Sequence, residues 1–368
     1  MIDLPGAVAV EAIDEESPDA GVAAHYGDPN REQRALATEV GLVDRSNRGV
    51  LAVPGEERVS WLHTITTQHL ATLADGQGTE LLVLSPHGHV EHHALVAELD
   101  GTTWLDTEPG PAAGELLGFL EKMRFFTRVE PRDATAGWAV LSLVGPRAAQ
   151  AAETLGVDGL TGPDTLGVPA AKFAAGSVPS RPTSRYVVRP LAGGGWARRG
   201  PLGVDLLVPR GSVGAVAGRL TASGVPAAGL WAYEAIRVAA RLPRVGFETD
   251  HRTIPAEIDL VAPAVHLDKG CYRGQETVAR VHNLGRPPRR LVLLHLDGVA
   301  TDQPPAQGSP VTTDDGRTVG FVGTAVRHFE LGMVALAVVK RNVADDARLT
   351  VGESAAAIDP AAEPSRVG

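Results

Sequence analysis

Residues 266–285 read HLDKGCYRGQETVARVHNLG, and this stretch contains the single cysteine of the 368-residue chain, Cys271. One glycine stands directly before the cysteine and another stands three residues after it, so the backbone can turn tightly there. Lys269, Arg273 and Arg280 are close in sequence, and cations that point at a thiol favour its thiolate form. The pattern indicates a reactive thiol in a turn, and the alternative is a small buried hydrophobic side chain.

The composition is that of a packed globular protein, with 43% hydrophobic and 21% charged residues. The net charge of −10 argues against direct nucleic-acid binding, because phosphate contacts need clustered cations. No apolar run approaches the roughly 18–20 residues of a membrane helix, and the acidic start lacks the basic region of a signal peptide. A single cysteine allows no intrachain disulfide, which fits a reducing cytoplasm. We therefore expect a cytoplasmic protein that works as a monomer away from membranes.

The motif KGCYRGQE (269–276), followed by ARVHNLGRPPRRLVLL (279–294), resembles the signature of the YgfZ family of folate-binding proteins. These proteins are relatives of the glycine-cleavage T-protein, the aminomethyltransferase GcvT. Further stretches resemble the same family, and the likeness covers residues 25–350. They are GLVDRSNRGVLAVPGEERVSWLHTITTQHLATLADGQG (41–78), LGVDLLVPR (202–210), LWAYEAIRVAARLPRVGFE (230–248) and IPAEIDL (254–260).

The resemblance implies an α+β fold, in which two intertwined folate-binding subdomains and a C-terminal β-barrel form a cloverleaf. We expect the folate-binding core over 31–285, with a subdomain boundary between 150 and 225. The barrel is expected over 286–352, where an Asp315-Gly316 pair also predicts a hairpin. Residues 1–30 are expected to be an irregular lead-in and residues 353–368 a disordered tail.

The resemblance also implies a central cavity for tetrahydrofolate or a one-carbon-substituted folate. Asp205 stands where the T-protein has a glutamate that holds the pterin, and a carboxylate can accept two N–H bonds from the aminopterin edge. Arg237 is the candidate to face the acidic half of the folate, and Trp196 the candidate to stack on the pterin. The alternatives are a solvent-facing acid, an arginine in a surface ion pair and a packing tryptophan.

The motif itself supplies the remaining candidates for cofactor contacts, namely Lys269, Tyr272, Arg273 and Gln275. Six basic side chains lie between Lys269 and Arg290, against Glu276 as the one acid. We predict that this segment forms an anion-facing lip of the folate cavity, which would receive a polyglutamyl tail. The alternative is that these cations pair with acids of the other domains.

The sequence departs from the T-protein pattern in two places. His92 and His93 occupy its acidic pair, with His93 at the catalytic position, and Ala239 replaces a glutamate. An imidazole cannot reproduce a carboxylate that stabilises a cationic amine, which argues against ordinary aminomethyl transfer. His93 is therefore a candidate for a different role in the cavity. A metal triad of His89, Glu91 and His93 is an alternative, although alternate strand positions are almost 7 Å apart, and we predict no metal site.

The favoured function is a tetrahydrofolate-binding accessory protein that supports iron–sulfur cluster assembly or repair, with Cys271 as the functional thiol. Its partners would be iron–sulfur assembly or client proteins, including tRNA-modifying enzymes. One thiol cannot hold a cluster alone, since clusters need about four ligands. The rival is a folate-dependent aminomethyltransferase or demethylase acting on a small amine, and a folate store without a client is a third possibility.

Overall fold

Two halves of one curved sheet face each other in the middle of the protein, and a barrel follows them. The computed structural model describes residues 1–160, 185–298 and 303–359. Within these ranges, no helix combines the length and the apolar character that crossing a bilayer requires.

The helices are α1 (Pro29–Thr38), α2 (Arg58–Ile65), α3 (Ala112–Arg124), α4 (Ala148–Glu153), α5 (Val213–Ala222), α6 (Leu230–Ala239), α7 (Val261–Ala264) and α8 (Gln275–Leu284). The strands of the first two thirds are β1 (Val8–Ala9), β2 (Ala23–His25), β3 (Gly41–Asp44), β4 (Arg48–Pro54), β5 (Gln77–Leu84), β6 (Val90–Leu99), β7 (Thr102–Pro109), β8 (Arg132–Asp133), β9 (Trp138–Val144), β10 (Tyr186–Pro190), β11 (Trp196–Gly200), β12 (Gly203–Pro209) and β13 (Ala227–Ala228). The remaining strands are β14 (Arg289–Leu296), β15 (Pro310–Thr313), β16 (Thr318–His328), β17 (Gly332–Lys340), β18 (Leu349–Val351) and β19 (Ser354–Ile358).

The large sheet has eleven strands in the order β13-β3-β9-β12-β11-β10-β5-β6-β7-β4-β8. It curls on itself, so that Val50 of β4 packs with Val140 of β9 although the two strands are far apart in the strand order. Helices α4 and α5 cover the outer face of one half, and α2 and α3 cover the outer face of the other. The inner faces of the two halves are thereby brought together.

Side-chain alternation along the strands separates apolar outer positions from charged inner positions. On β7, Leu105 packs in the outer core under α3, whereas Asp106 is buried on the other face. On β12, Leu206 packs under α4 and α5, and Asp205 points the other way. Because successive strand residues face opposite sides, each strand supplies both a hydrophobic core and polar groups between the halves.

The C-terminal strands form a closed barrel in the order β14-β17-β16-β15-β18-β19, as the sequence predicts. The predicted end of the barrel at residue 352 is too early. Ser354–Ile358 is a strand that pairs with both β14 and β18, so the first residues of the predicted disordered tail belong to the barrel. The last nine residues of that predicted tail, 360–368, lie outside the described part of the chain.

The N-terminal segment also differs from the irregular lead-in that the sequence suggests. β1 and β2 pair with each other, and β2 packs against α6. Val22 and Ala24 are fully buried in the core that α1 and α6 share, which explains why the N-terminal segment has a regular structure. The segment carries Asp19 to the central cavity, where it binds Arg244.

Candidate functional site

A cavity lies between the two sheet halves and under α6. Its volume is about 630 Å³ with open solvent included, which is as large as small-molecule sites usually are. Its polar wall is formed by Arg45, Arg48, Glu80, His93, Glu108, Ser142, Asp205, Tyr233, Arg237 and Arg244.

Arg198 on β11 links the two halves behind this wall. Its guanidinium donates to Asp106 on β7 at 2.7 Å and to Asp205 on β12 at 3.0 Å, and its side chain is fully buried. Asp205 also accepts from the Ser142 hydroxyl at 2.6 Å, and Arg45 lies 3.5 Å from the same oxygen. The carboxylate of Asp205 therefore already has three partners from this chain.

Arg48 and Arg244 extend the network toward the N-terminal segment. Arg48 donates to Asp106 at 3.1 Å and to Glu108 at 3.3 Å. Arg244 donates to the second oxygen of Glu108 at 2.8 Å and to both oxygens of Asp19 at 2.8 and 2.9 Å. Burial opposes ionisation of Glu108, but the charges of Arg244 and Arg48 outweigh it and hold the pKa of Glu108 far below its usual range.

Arg237 on α6 closes the network on the barrel side. Its guanidinium donates to Glu234 at 2.6 and 3.0 Å, to Glu248 at 3.3 Å and to the Thr324 hydroxyl of β16 at 2.7 Å. Burial opposes the charged guanidinium, yet the carboxylates of Glu234 and Glu248 raise the pKa of Arg237. The wall is thus made of ionised groups fixed by one another, which holds donors and acceptors in place for a polar ligand.

His93 brings an imidazole to the same wall. Its Nε2 lies 2.9 Å from Glu80 on β5, a carboxylate with no exposed side-chain surface, and Tyr186 on β10 donates its hydroxyl to the other Glu80 oxygen. Thr107 donates to the His93 carbonyl at 2.8 Å. His92 points to the opposite side, where its ring meets Phe119 of α3.

The predicted cofactor ligands of the central region have different surroundings. Asp205 and Arg237 both line the cavity, but each is tied into ion pairs, so their direct contacts with a ligand stay predictions. Trp196 does not line the cavity. It is buried among Val50, Val140 and Leu207, with Arg198 over its ring, which favours the packing alternative.

No residue of the KGCYRGQE motif is among the residues that line the cavity. Lys269, which the sequence places beside Cys271, turns away and donates to the carbonyls of His63, Thr66 and Gln68 at the end of α2. Burial lowers the pKa of Lys269 to about 8. This lysine caps a helix and does not form part of the cavity wall.

The other motif residues also support the turn itself. Tyr272 is buried in the core between the sheet and the barrel, where burial raises its pKa to about 12. Gln275 bonds the Tyr272 amide and the Lys269 carbonyl at 3.4 Å each, and Arg273 pairs with Glu91 at 3.0 Å. None of these four candidates, Lys269 included, belongs to the cavity lining, so their assignment as cofactor ligands is not supported by position. Cys271 is exposed, which excludes the buried-hydrophobe alternative.

The predicted anion-facing lip is largely neutralised. Arg289 binds Asp250 and Glu257, and Arg290 binds Asp345 at 2.5 Å. Together with Lys269 and Arg273, four of the six cations therefore have partners in other segments of the chain. The alternative, pairing with acids elsewhere, accounts for Arg273, Arg289 and Arg290, whereas Lys269 donates to backbone carbonyls. Arg280 and Arg286 are exposed.

The metal alternative at His89, Glu91 and His93 finds no support. A bulge leaves Glu91 as an extra residue between the paired positions Val90 and His92, which interrupts the alternation. Glu91 binds Arg273 outside the cavity, whereas His93 binds Glu80 inside it. Among the described residues, no group of three His, Cys, Asp or Glu side chains could hold a metal ion.

Sequence reasoning missed most of the charged wall. The missed residues of the wall are Arg45, Arg48, Glu80, Glu108 and Arg244, and those that bind the wall from behind are Asp106, Tyr186, Arg198 and Glu234. A signal was present, because charged residues interrupt apolar strands: Glu80 in GTELLVL (78–84), and Asp106 and Glu108 at alternate positions in TTWLDTEP (102–109). Strands with a charge on every second position near a hydrophobic run indicate a buried polar face.

Comparisons with known proteins agree with this architecture. The profile of the GCVT N-terminal domain matches residues 18–178. A putative chloroplastic transferase of Arabidopsis thaliana is 26% identical over 356 residues, which cover 92% of this chain and 74% of that protein. An aminomethyltransferase of Prosthecochloris aestuarii is 26% identical over 298 residues, which cover 79% of this chain and 77% of the relative.

The crystal structure of glycine cleavage system aminomethyltransferase T from Bartonella henselae matches with a TM-score of 0.77 at 20% identity, covering 96% of this chain and 93% of that chain. The chain therefore has the GcvT-like α+β fold, and the predicted fold class is confirmed. The sequence and structure comparisons thus agree that the chain is similar to GcvT-like proteins. The narrower assignment to the YgfZ branch stays a prediction.

The cavity residues offer the kinds of hydrogen-bond donor and acceptor that a folate head group needs. An aminopterin edge carries N–H donors, and the Asp205 carboxylate has about four acceptor positions, of which Ser142, Arg45 and Arg198 use three. The guanidinium groups of Arg45 and Arg48 are donors for carbonyl or carboxylate oxygens. The donor and acceptor set is therefore suitable for the head group.

Proposed function

We propose that this protein is a tetrahydrofolate-dependent transferase that moves a one-carbon unit to or from a small amine. The observation that carries the proposal is the charge-lined cavity between the sheet halves, in a chain that is similar to aminomethyltransferases over most of its length. Folate supplies the nitrogen that carries the one-carbon unit. The proposal covers transfer at constant oxidation level, since removal of a methyl group would need an oxidant.

Asp205 and Arg45 hold the head group in this proposal, while Arg48 and Glu108 fix the opposite wall. The buried ion pairs keep these groups oriented before the ligand arrives, so little reorganisation is needed during the reaction.

The first test is calorimetric titration with tetrahydrofolate and with 5-formyltetrahydrofolate. We expect a Kd on the order of micromolar, which corresponds to about −8 kcal/mol. Asp205→Asn should weaken binding at least tenfold, whereas Asp315→Asn, on the exposed barrel hairpin, is the matched control. No binding by the wild-type protein would reject the folate assignment.

The second test is transfer itself. Wild-type protein is mixed with 5,10-[¹³C]methylenetetrahydrofolate, ammonium and a small thiol, and loss of the label from folate is followed by ¹³C NMR. Transfer above the rate without protein is expected. Binding without transfer would retain the folate site and reject the transferase.

A second candidate is the iron–sulfur accessory role, which the exposed Cys271 outside the cavity favours. A thiol at the surface is accessible to a client protein, for a transient disulfide or as one ligand of a cluster in transit. The test is the rate at which an apo-ferredoxin regains its cluster absorbance with wild-type protein and with Cys271→Ala. Equal rates in both cases, and without protein, would exclude this role.

A further inference from the structure

A buried carboxylate stands behind the imidazole of the cavity wall. His93 takes the position at which the resemblance places a catalytic acid, and Glu80 on the neighbouring strand lies 2.9 Å behind it. Glu80 has no exposed side-chain surface, and the His93 side chain is 11% exposed. His93 on β6 thus replaces the catalytic acid, and the nearest carboxylate, Glu80, comes from β5. The imidazole stands between this carboxylate and the ligand.

The hydrogen bonds determine which imidazole nitrogen carries the proton. An ionised carboxylate only accepts, so Nε2 of His93 donates to Glu80. Tyr186 donates its hydroxyl to the other Glu80 oxygen and fixes the carboxylate from the far side. In the part of the chain that the structure describes, no hydrogen bond to Nδ1 of His93 accompanies this one. Nδ1 is therefore the nitrogen that keeps its lone pair for a ligand.

We propose that His93, oriented by Glu80 and Tyr186, is the proton-accepting group of the cavity. This inference rests on the proposed transferase function and names the class of group that the site acts on, an N–H of the bound folate or amine. The Nδ1 lone pair of His93 takes the proton, and the electrons of the broken N–H bond stay on the ligand nitrogen. The resulting imidazolium is neutralised by Glu80, as a carboxylate behind a catalytic histidine does elsewhere.

The charge balance differs from that of a carboxylate in direct contact with the ligand. Before transfer the pair carries one negative charge, which lies on Glu80 and away from the ligand. After transfer the His93 imidazolium and the Glu80 carboxylate together are neutral. The carboxylate therefore offsets the repulsion between the imidazolium and the cations Arg45 and Arg48 of the same wall. The site is therefore suited to removing a proton from the cationic nitrogen that forms when an amine attacks the one-carbon unit, and to returning it to a leaving amine, rather than to holding a permanent cation.

The test combines NMR of the imidazole with transfer kinetics. ¹⁵N-histidine spectra of the full-length protein are recorded with and without tetrahydrofolate, and His93→Gln identifies the His93 signals. We expect the Nε2–H tautomer without ligand and a changed Nδ1 shift when tetrahydrofolate binds. An Nδ1–H tautomer would overturn the proposal, and so would an Nδ1 shift that tetrahydrofolate leaves unchanged.

Label transfer from 5,10-[¹³C]methylenetetrahydrofolate gives the kinetic readout. Loss of a general base usually costs about 10²-fold or more in rate, so His93→Gln should lose that much while the Kd for tetrahydrofolate stays within threefold. Glu80→Gln and Tyr186→Phe should show smaller losses in rate and a weaker tautomer preference. His92→Gln, one residue away and facing Phe119, is the control and should retain the wild-type rate.

The outcomes separate the two proposals. If His93→Gln abolishes tetrahydrofolate binding, or transfers at the wild-type rate, His93 is not the proton acceptor. If the wild-type protein shows no transfer but has the Nε2–H tautomer and the ligand-dependent Nδ1 shift, the transferase function fails and the proton-accepting geometry stands. If Glu80→Gln does not fold, Tyr186→Phe removes the second support of the same carboxylate and provides the comparison.

Discussion

His328 at the end of β16 should make the barrel sensitive to acid. Its side chain is 3% exposed, and Nδ1 accepts backbone N–H bonds from Glu330 and Leu331 at 3.2 Å each. Burial lowers the pKa of His328 from 6.5 to about 4. A proton on Nδ1 would remove both acceptor interactions in the β16–β17 turn. The perturbation we consider is His328→Asn, because the Asn side-chain oxygen can accept the same two bonds and does not titrate.

The sign and size of the effect follow from the shift. With the folded-state pKa below the unfolded one, the unfolded chain binds more protons between pH 6.5 and pH 4, so stability is complete above 6.5 and is lost as the pH falls toward 4. At about 1.4 kcal/mol per pKa unit, the loss is roughly 2 kcal/mol between pH 7 and pH 5 and about 3 kcal/mol at the acid limit. His328→Asn should lack this part of the pH dependence.

Urea unfolding at pH 7 and pH 5 measures the difference. Carboxylates contribute to the pH dependence of both proteins, so the quantity of interest is the wild-type change minus the variant change. His251→Asn, on an exposed turn, is the control for loss of an imidazole elsewhere. If wild type and His328→Asn lose the same free energy of unfolding within about 0.5 kcal/mol, the reasoning from burial is refuted.

Two further predictions concern buried cations. Arg198→Met should destabilise the protein by about 3–5 kcal/mol, because it leaves the buried carboxylates of Asp106 and Asp205 without their shared partner. In contrast, Arg317→Met breaks an exposed pair and should cost less than about 1 kcal/mol by urea unfolding; equal effects would contradict the role of burial. Lys269→Met should cost about 1–3 kcal/mol, since three carbonyls at the end of α2 lose their donor. Thermal unfolding measures this loss, and an unchanged midpoint would show that water replaces the ammonium group.

Short stretches of the sequence, through their resemblance to a known family, are enough to predict the fold and three of the cavity residues. The KGCYRGQE motif and its companion stretches lead to the GcvT-like arrangement, and the Asp315-Gly316 pair forms the predicted hairpin between β15 and β16. Asp205, Arg237 and His93 all line the cavity. These predictions depend on short stretches, in which neighbouring residues determine the turn or the strand.

The ion network could not be read from the sequence, because it depends on the register between distant strands. Ser142 and Asp205 are cross-strand partners although 63 positions separate them, and Asp205 in turn is opposite Arg198. The direction of Lys269 was missed for a similar reason. Proximity in sequence suggested Cys271 as its neighbour, whereas the unpaired carbonyls at the end of α2, over 200 residues earlier, provide stronger partners.

The buried ion pairs have a consequence for the order of folding. Arg244 binds Asp19, which is 225 positions away, and also Glu108, at a separation of 136. Contacts between such distant positions pay the full entropy of loop closure before they contribute free energy, so they form late and slowly. During synthesis the cavity is incomplete until Arg244, the lining residue with the highest number, has left the ribosome, when both halves of the sheet already exist. A nascent chain can therefore acquire its sheet well before it acquires a ligand site.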